Sequence, residues 1–222
     1  MCGRIVQRTA LGAVCRDLGM EPWEEEFRPR YNIPPGGRIW SIRAGEDGKL
    51  ELVRLRWGLI PSWAKDEKIG FSMSNARAET ITEKAAFKNA VKKRRCVIPI
   101  DGFYEWQKVG KEKLPYLIRF EDDRTFFIAG IWERWTSETG EVIESCAAIT
   151  TSANDLISTI HERMPVIISK ENIGAWLDSD VQDGAALREF FVPYSAEGMT
   201  MVRVSTRVNT PKNDDPECLA AA

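Results

Sequence analysis

The sequence predicts a strand-rich α+β fold in a single domain, and three observations carry that prediction. Apolar residues mostly recur with period two, successive runs are joined by short charged or glycine-bearing turns, and no strand–long helix–strand alternation marks a parallel βαβ unit. From the N-terminus, residues 9–18 read as a short helix with Leu11, Val14, Cys15 and Leu18 on one face. Arg38–Ile42 and Leu50–Trp57 alternate around Glu46-Asp47-Gly48, a hairpin signal. Thr80 with Glu83 three residues later reads as a capping box for a helix to about Val91. Strand-like runs follow at 95–100, 102–107, 114–120, 125–132 and 142–150. Residues 154–160, 170–177 and 184–191 read as helices, with short strands at 165–168 and 199–205. Residues 1–210 form the expected domain, and 211–222, with Pro211, Pro216 and a terminal alanine run, read as a flexible tail.

Composition narrows the function. A chain of 222 residues with 43% hydrophobic and 29% charged content can bury one core. No apolar run reaches membrane-span length and no signal-peptide pattern opens the chain, so a cytoplasmic protein with reduced cysteines is expected. Cysteines at 2, 15, 96, 146 and 218 match neither a disulfide framework nor a zinc ribbon. His161 is the only histidine, which argues against a histidine-based metal site. The net charge of −2 is not the footprint of a broadly basic DNA-binding domain, so any nucleic-acid contact needs a local basic groove.

Chemistry concentrates in a few segments. Removal of Met1, favoured by the small residue behind it, would make Cys2 the N-terminus. Its thiol and α-amine would then sit on adjacent carbons. An α-amine has an ordinary pKa of about 7.7–8.0, so a useful fraction is neutral at pH 7. It can condense with an aldehyde, after which the thiol can close the imine into a thiazolidine; alternatively the amine can serve the thiol as a base for amide attack. Other candidate segments are residues 30–36 (Arg-Tyr-Asn-Ile-Pro-Pro-Gly), 74–80 around Asn75 and Arg77, 99–106 around Glu105 and Trp106, Thr150-Thr151, and 160–165 around His161 and Arg163. Each has a plainer explanation: Glu105 on the polar face of a strand, His161 as a helix C-terminal cation, Arg77 and Arg163 as surface ion pairs, and Trp57, Trp63 and Trp106 as core.

Taken in order, these segments resemble the SRAP family, the SOS response-associated peptidases. The likeness runs from Met1-Cys2-Gly3-Arg4 through Trp57-Gly58-Leu59-Ile60-Pro61-Ser62-Trp63 and Asn75-Ala76-Arg77-Ala78-Glu79-Thr80. It continues through Asp101-Gly102-Phe103-Tyr104-Glu105-Trp106 and His161-Glu162-Arg163-Met164-Pro165 to Val204-Ser205-Thr206-Arg207-Val208-Asn209. The resemblance implies a mostly antiparallel sheet or open barrel with flanking helices. It further implies Cys2, Asn75, Glu105 and His161 as catalytic residues, and Arg4, Arg77, Thr150 and Arg163 as phosphate contacts. Pro35 and Trp106 become an apolar wedge; Ala64, where some relatives carry a second tryptophan, makes that wedge smaller. The implied partner is single-stranded DNA with an abasic site, approached by a monomeric cytoplasmic or nucleoid-associated protein, with the replication machinery a further partner and no cofactor or metal. The expected product is a covalent Cys2 adduct.

On that reading Glu105, set between two aromatic residues, is expected to be partly desolvated and to move protons. Histidine's ordinary pKa lies nearest neutrality, which suits His161 to protonating a sugar oxygen. Asn75 can orient the Cys2 amine without adding charge. Two rivals remain open: an N-terminal-nucleophile amidohydrolase of the glutaminase type, and a damaged-DNA binding module without catalysis.

Overall fold

The computed structural model describes residues 2–23 and 26–222. Met1, whose removal the sequence leads one to expect, lies outside the described residues. Among the described residues the strands are β1 (Ile5–Gln7), β2 (Arg30–Ile33), β3 (Arg38–Ala44), β4 (Leu50–Trp57), β5 (Asn75–Arg77), β6 (Arg95–Ile100), β7 (Gly102–Val109), β8 (Glu112–Phe120), β9 (Phe126–Thr136), β10 (Val142–Ser152), β11 (Arg163–Pro165), β12 (Ile167–Ile168) and β13 (Met199–Arg203). The α-helices of the described residues are short: α1 (Leu11–Asp17), α2 (Lys88–Lys93), α3 (Asp155–Ser158), α4 (Ile173–Leu177) and α5 (Gly184–Arg188). Among the described residues no helix is long and apolar enough to cross a membrane.

The strands form two sheets. One has the order β13-β8-β7-β1-β2, antiparallel throughout. In the other, β10 pairs with both β4 and β9, so β10-β4-β3-β6-β9 closes on itself as a barrel. The pairs β4–β10 and β5–β10 are parallel and the rest antiparallel. Period-two alternation explains how one strand serves two cores. Cys96, Ile98, Ile128, Cys146 and Ala148 pack with Ile5, Ile33, Phe103 and Ile118 of the five-stranded sheet. Their neighbours Val97, Ala129, Ile131, Ala147 and Ile149 pack under α2 and α4 with Val91, Trp176 and Leu177. Trp176 is fully buried and donates its indole N–H to the Cys96 carbonyl at 2.9 Å.

Two glycines are required by the backbone. Residues 34–37 form a turn in which the Gly37 amide donates to the Pro34 carbonyl at 3.1 Å, with Gly36 at φ +87° behind Pro35. Gly58 has φ +134°, and a Cβ there would sit 2.6 Å from the Gly70 carbonyl oxygen. That contact pins the segment carrying Trp63 and Phe71, both exposed, to the end of β4.

Three expectations are corrected. The capping box does not form: Glu83 donates to the backbone carbonyl of Thr80 at 3.1 Å, the Thr80 hydroxyl is buried without a partner, and α2 starts only at Lys88. Sheet pairing overrides the local signal, because Ala78 extends the β5–β10 ladder through Thr150 at 2.9 Å. Trp63, for which a core position was the plainer reading, is 59% exposed. Residues 211–222 are also not a loose tail. Asp214 accepts from the Tyr31 and Asn32 amides at 2.6 and 2.9 Å and pairs with Arg30, while Cys218 is fully buried.

Candidate functional site

The site is assembled where both sheets meet. Antiparallel pairing of Ile5 with Phe103, extended by the Tyr104 amide on the Arg4 carbonyl at 3.0 Å, draws the N-terminal segment along β7. Cys2 ends up fully buried in the core between the sheets. Parallel pairing of β5 with β10, Asn75 opposite Ala148, brings Asn75 to Cys2. The Asn75 amide donates to the Cys2 carbonyl at 2.9 Å and to the Ser74 hydroxyl at 3.2 Å. Its carbonyl oxygen, Oδ1, is buried with no hydrogen-bond partner among the described residues. A buried acceptor without a donor costs on the order of 1–3 kcal/mol, so the arrangement invites a donor.

Glu105 is 3% exposed, as expected, but for a different reason. Side chains of adjacent strand residues point to opposite faces. Tyr104 and Trp106 therefore pair with each other, ring centroids 6.5 Å apart, in a separate cluster with Val6 and Val208. They do not flank the carboxylate, which faces Cys2. Burial, and next the Glu105 charge, push the Cys2 thiol well above its ordinary value, against a smaller pull from the Arg4 backbone amide. The thiol is held neutral at physiological pH.

Glu105 and His161 open onto one cleft of about 560 Å³, shared with Arg4, Trp106 and Asn209. His161 follows α3, whose N-cap Asn154 accepts from the Ile157 amide at 3.0 Å. His161 Nδ1 lies 2.9 Å from the Arg163 amide and 3.2 Å from the Arg163 carbonyl, so the backbone of Arg163 fixes the ring. Arg4 donates to Asn32 Oδ1 and the Val208 carbonyl, both at 2.8 Å, and its guanidinium lies 5.8 Å from the Trp106 ring centroid. Trp106 is itself fixed by a 2.7 Å bond to Asn209 Oδ1.

The remaining candidates lie outside this cleft. Arg77 is exposed on β5, two residues from Asn75. Pro35 is half-buried in the turn ahead of β3. Thr150 is fully buried, and Arg163, 9% exposed, grips Glu79 through both its terminal nitrogens and donates to the Thr150 carbonyl at 2.6 Å. Neither Thr150 nor Arg163 offers a side chain to an incoming phosphate unless Glu79 moves; both are committed to internal partners. The pairing holds the Glu79 carboxyl below its ordinary range, chiefly through the Arg163 hydrogen bonds.

Two cleft residues escaped the sequence reading. Lys108 and Lys113 line the cleft directly opposite one another on the β7–β8 hairpin. Like charges in that register repel, so the pair suits an anionic ligand. The signal was the period-two step from Trp106 to Lys108, folded back at Gly110.

The model of the SOS response associated peptidase (SRAP) family matches residues 1–211. The chain is 40% identical over 222 residues to the abasic site processing protein YoqW of Bacillus subtilis (strain 168), covering 99% of both chains. It is 36% identical over 228 residues to the abasic site processing protein HMCES of Gallus gallus, covering 88% of this chain and 67% of the relative. A crystal structure of a protein from Bacteroides thetaiotaomicron superposes with a TM-score of 0.79 at 32% identity, covering 86% of this chain and 85% of that one. With a closed barrel beside a five-stranded sheet, a buried Cys2 at their junction and a family match over nearly its whole length, this chain belongs to the SRAP family.

Proposed function

We propose that the protein processes abasic sites in single-stranded DNA by crosslinking to them through Cys2 once Met1 has been removed. The observation that carries this reading is the empty acceptor at Asn75. Its amide already fixes the Cys2 carbonyl, and its unpartnered Oδ1 supplies the acceptor that a free Cys2 amine needs. The names of the relatives, abasic site processing proteins, supply the substrate class.

The order of steps follows from the product. A thiazolidine closes only on an imine, so the amine attacks first, at the C1′ aldehyde of the ring-opened sugar. The carbinolamine loses water to give an imine, with Glu105 and His161 placed to shuttle the protons. The thiol then adds across the imine: sulfur bonds to C1′, its proton passes to nitrogen, and a thiazolidine closes. Consuming the imine removes the species that promotes β-elimination, which keeps the strand intact. Flexible single strands expose the sugar without the cost of unpairing. Arg4 and Arg77 serve the phosphates, and a phosphate that reaches Arg163 displaces Glu79. The peptidase of the family description is read here as self-processing that frees Cys2.

Intact mass after incubation with abasic single-stranded DNA tests the proposal. A borohydride-independent adduct that survives denaturation is expected. Cys2→Ser should give an adduct that is labile unless reduced; an equally stable one would overturn the thiazolidine step.

A further inference from the structure

A second groove, of about 470 Å³, opens at the far end of β1 and β2, away from Cys2. Arg28, Arg38, Arg54 and Lys212 line it beside a single unpaired carboxylate, Glu26, and none of the four cations has an ion-pair partner among the described residues. The fifth cation, Arg30, is neutralised by Asp214. β3 and β4 place the arginines on one outward face: Arg38 lies opposite Arg56, and Trp40 opposite Arg54, whose guanidinium sits 5.7 Å from the Trp40 ring centroid. Gathering four unneutralised cations in one concavity opposes folding by self-repulsion, and in a chain of net charge −2 it is not an overflow of basic residues. With five cations against Glu26 and Asp214 the concavity keeps an excess of positive charge, which focuses its field on an anionic ligand.

The groove is tied to the reactive cleft by a short rigid segment. Asn209 lines the cleft and Lys212 lines the groove, a separation of three residues, or at most about 11 Å of chain. Asn32 fixes that segment by donating to the carbonyls of Val208, Thr210 and Asn213 at 3.0, 3.2 and 2.8 Å. A polyanion leaving the cleft past Trp106 and Asn209 meets the four cations within a few nucleotides. We infer that this groove is a second nucleic-acid site, holding the phosphodiester backbone of the single strand that continues out of the cleft of Glu105 and His161. The identity of the strand rests on the proposed function; the cationic groove does not.

The test measures binding and chemistry separately. Charge reversal R38E/R54E/K212E and the milder R38Q/R54Q touch exposed side chains. Undamaged single-stranded DNA, titrated by fluorescence anisotropy at several salt concentrations, should bind about tenfold more weakly to the triple variant. The salt slope should fall by about 2, at about 0.7 for each lost phosphate contact. Abasic oligonucleotides lengthened on one side of the lesion should gain affinity for the parent on one side only, and both variants should lose that gain. Crosslinking to an abasic trinucleotide, which fills the cleft alone, should proceed at the parental rate. Unchanged salt slope and length dependence in both variants would overturn the inference. So would a polyglutamate peptide binding the groove as tightly as DNA of equal charge, which would assign the groove to an acidic protein segment. If the parent failed to crosslink, the proposed chemistry would fall while weakened DNA binding by the variants still supported the groove.

Discussion

The strap formed by residues 208–218 and the pocket around Cys2 are both polar, both partly buried, and lie on either side of Arg4. Their hydrogen-bond accounting differs. In the strap, Asn32 makes four bonds and the Asp214 carboxylate takes two amides and a guanidinium. Around Cys2, Asn75 spends its donors on the chain and leaves Oδ1 without one. A saturated network contributes rigidity and has nothing left for a ligand. An unsaturated one costs stability and keeps binding capacity. The two asparagines thus separate scaffold from site more sharply than residue type could.

The comparison breaks most visibly at Cys2. Cys2→Ala should abolish the stable adduct while thermal unfolding changes little; a variant that crosslinked normally would remove the site from the reaction. At the strap the outcomes reverse. Asp214→Ala orphans two amides and a guanidinium and should cost about 1–3 kcal/mol by urea denaturation, with the crosslinking rate per folded molecule retained. Asn75→Ala should lie between them: a rate loss of about 10²-fold in single-turnover crosslinking with little loss of stability, since it removes an orphan acceptor along with a donor. Loss of stability in place of rate would put Asn75 with the scaffold.

The pH dependence sharpens the same contrast. Burial raises Cys96, to about 12, and the Cys2 and Cys146 thiols also rise. In the unfolded chain thiols lose their protons near 9.0, while the native thiols keep theirs. The unfolded state therefore binds fewer protons above about pH 9, and stability should fall as pH rises through that range. Cys96→Ala should flatten the fall in urea midpoint between pH 8 and 10; an unchanged slope would show the thiols to be uninvolved. At the acid end, the depressed Glu79 carboxyl stabilises the fold above its unfolded value of 4.5 and loses that contribution as pH drops through its lower native value. The smallest effect belongs to Arg77→Ala, which should lower the salt slope of single-strand binding by about 0.7 and leave stability alone.

Much of this was legible in the sequence because period-two alternation is a local signal. β4 and β6 run over the residues read from it, and the Glu46-Asp47-Gly48 hairpin closes through a 2.7 Å bond from Gly45 to the Lys49 carbonyl. β1, β2 and β5 were not legible: three or four residues carry too little pattern, and they are strands only because distant partners pair with them. The capping box failed for the converse reason, a strong local signal overruled by sheet pairing. For Glu105 burial was anticipated but its cause was not. Sequence neighbours suggested an aromatic sandwich, whereas strand geometry turned both rings to the opposite face. Lys108 and Lys113 became a pair only when the hairpin folded.

The strap and the residues that follow it also settle how the five-stranded sheet ends. Unlike the barrel it has two edges, β2 and β13, and exposed edges template association between chains. Residues 211–222 cover both: Asp214 caps the Tyr31 and Asn32 amides of β2, while Ala221 bridges Val204 and the Ala222 amide donates to the Arg203 carbonyl at 3.0 Å beside β13. A chain cut at residue 210 would keep every candidate catalytic side chain yet lose the guard on both edges. Its characteristic failure would be self-association that rises with concentration.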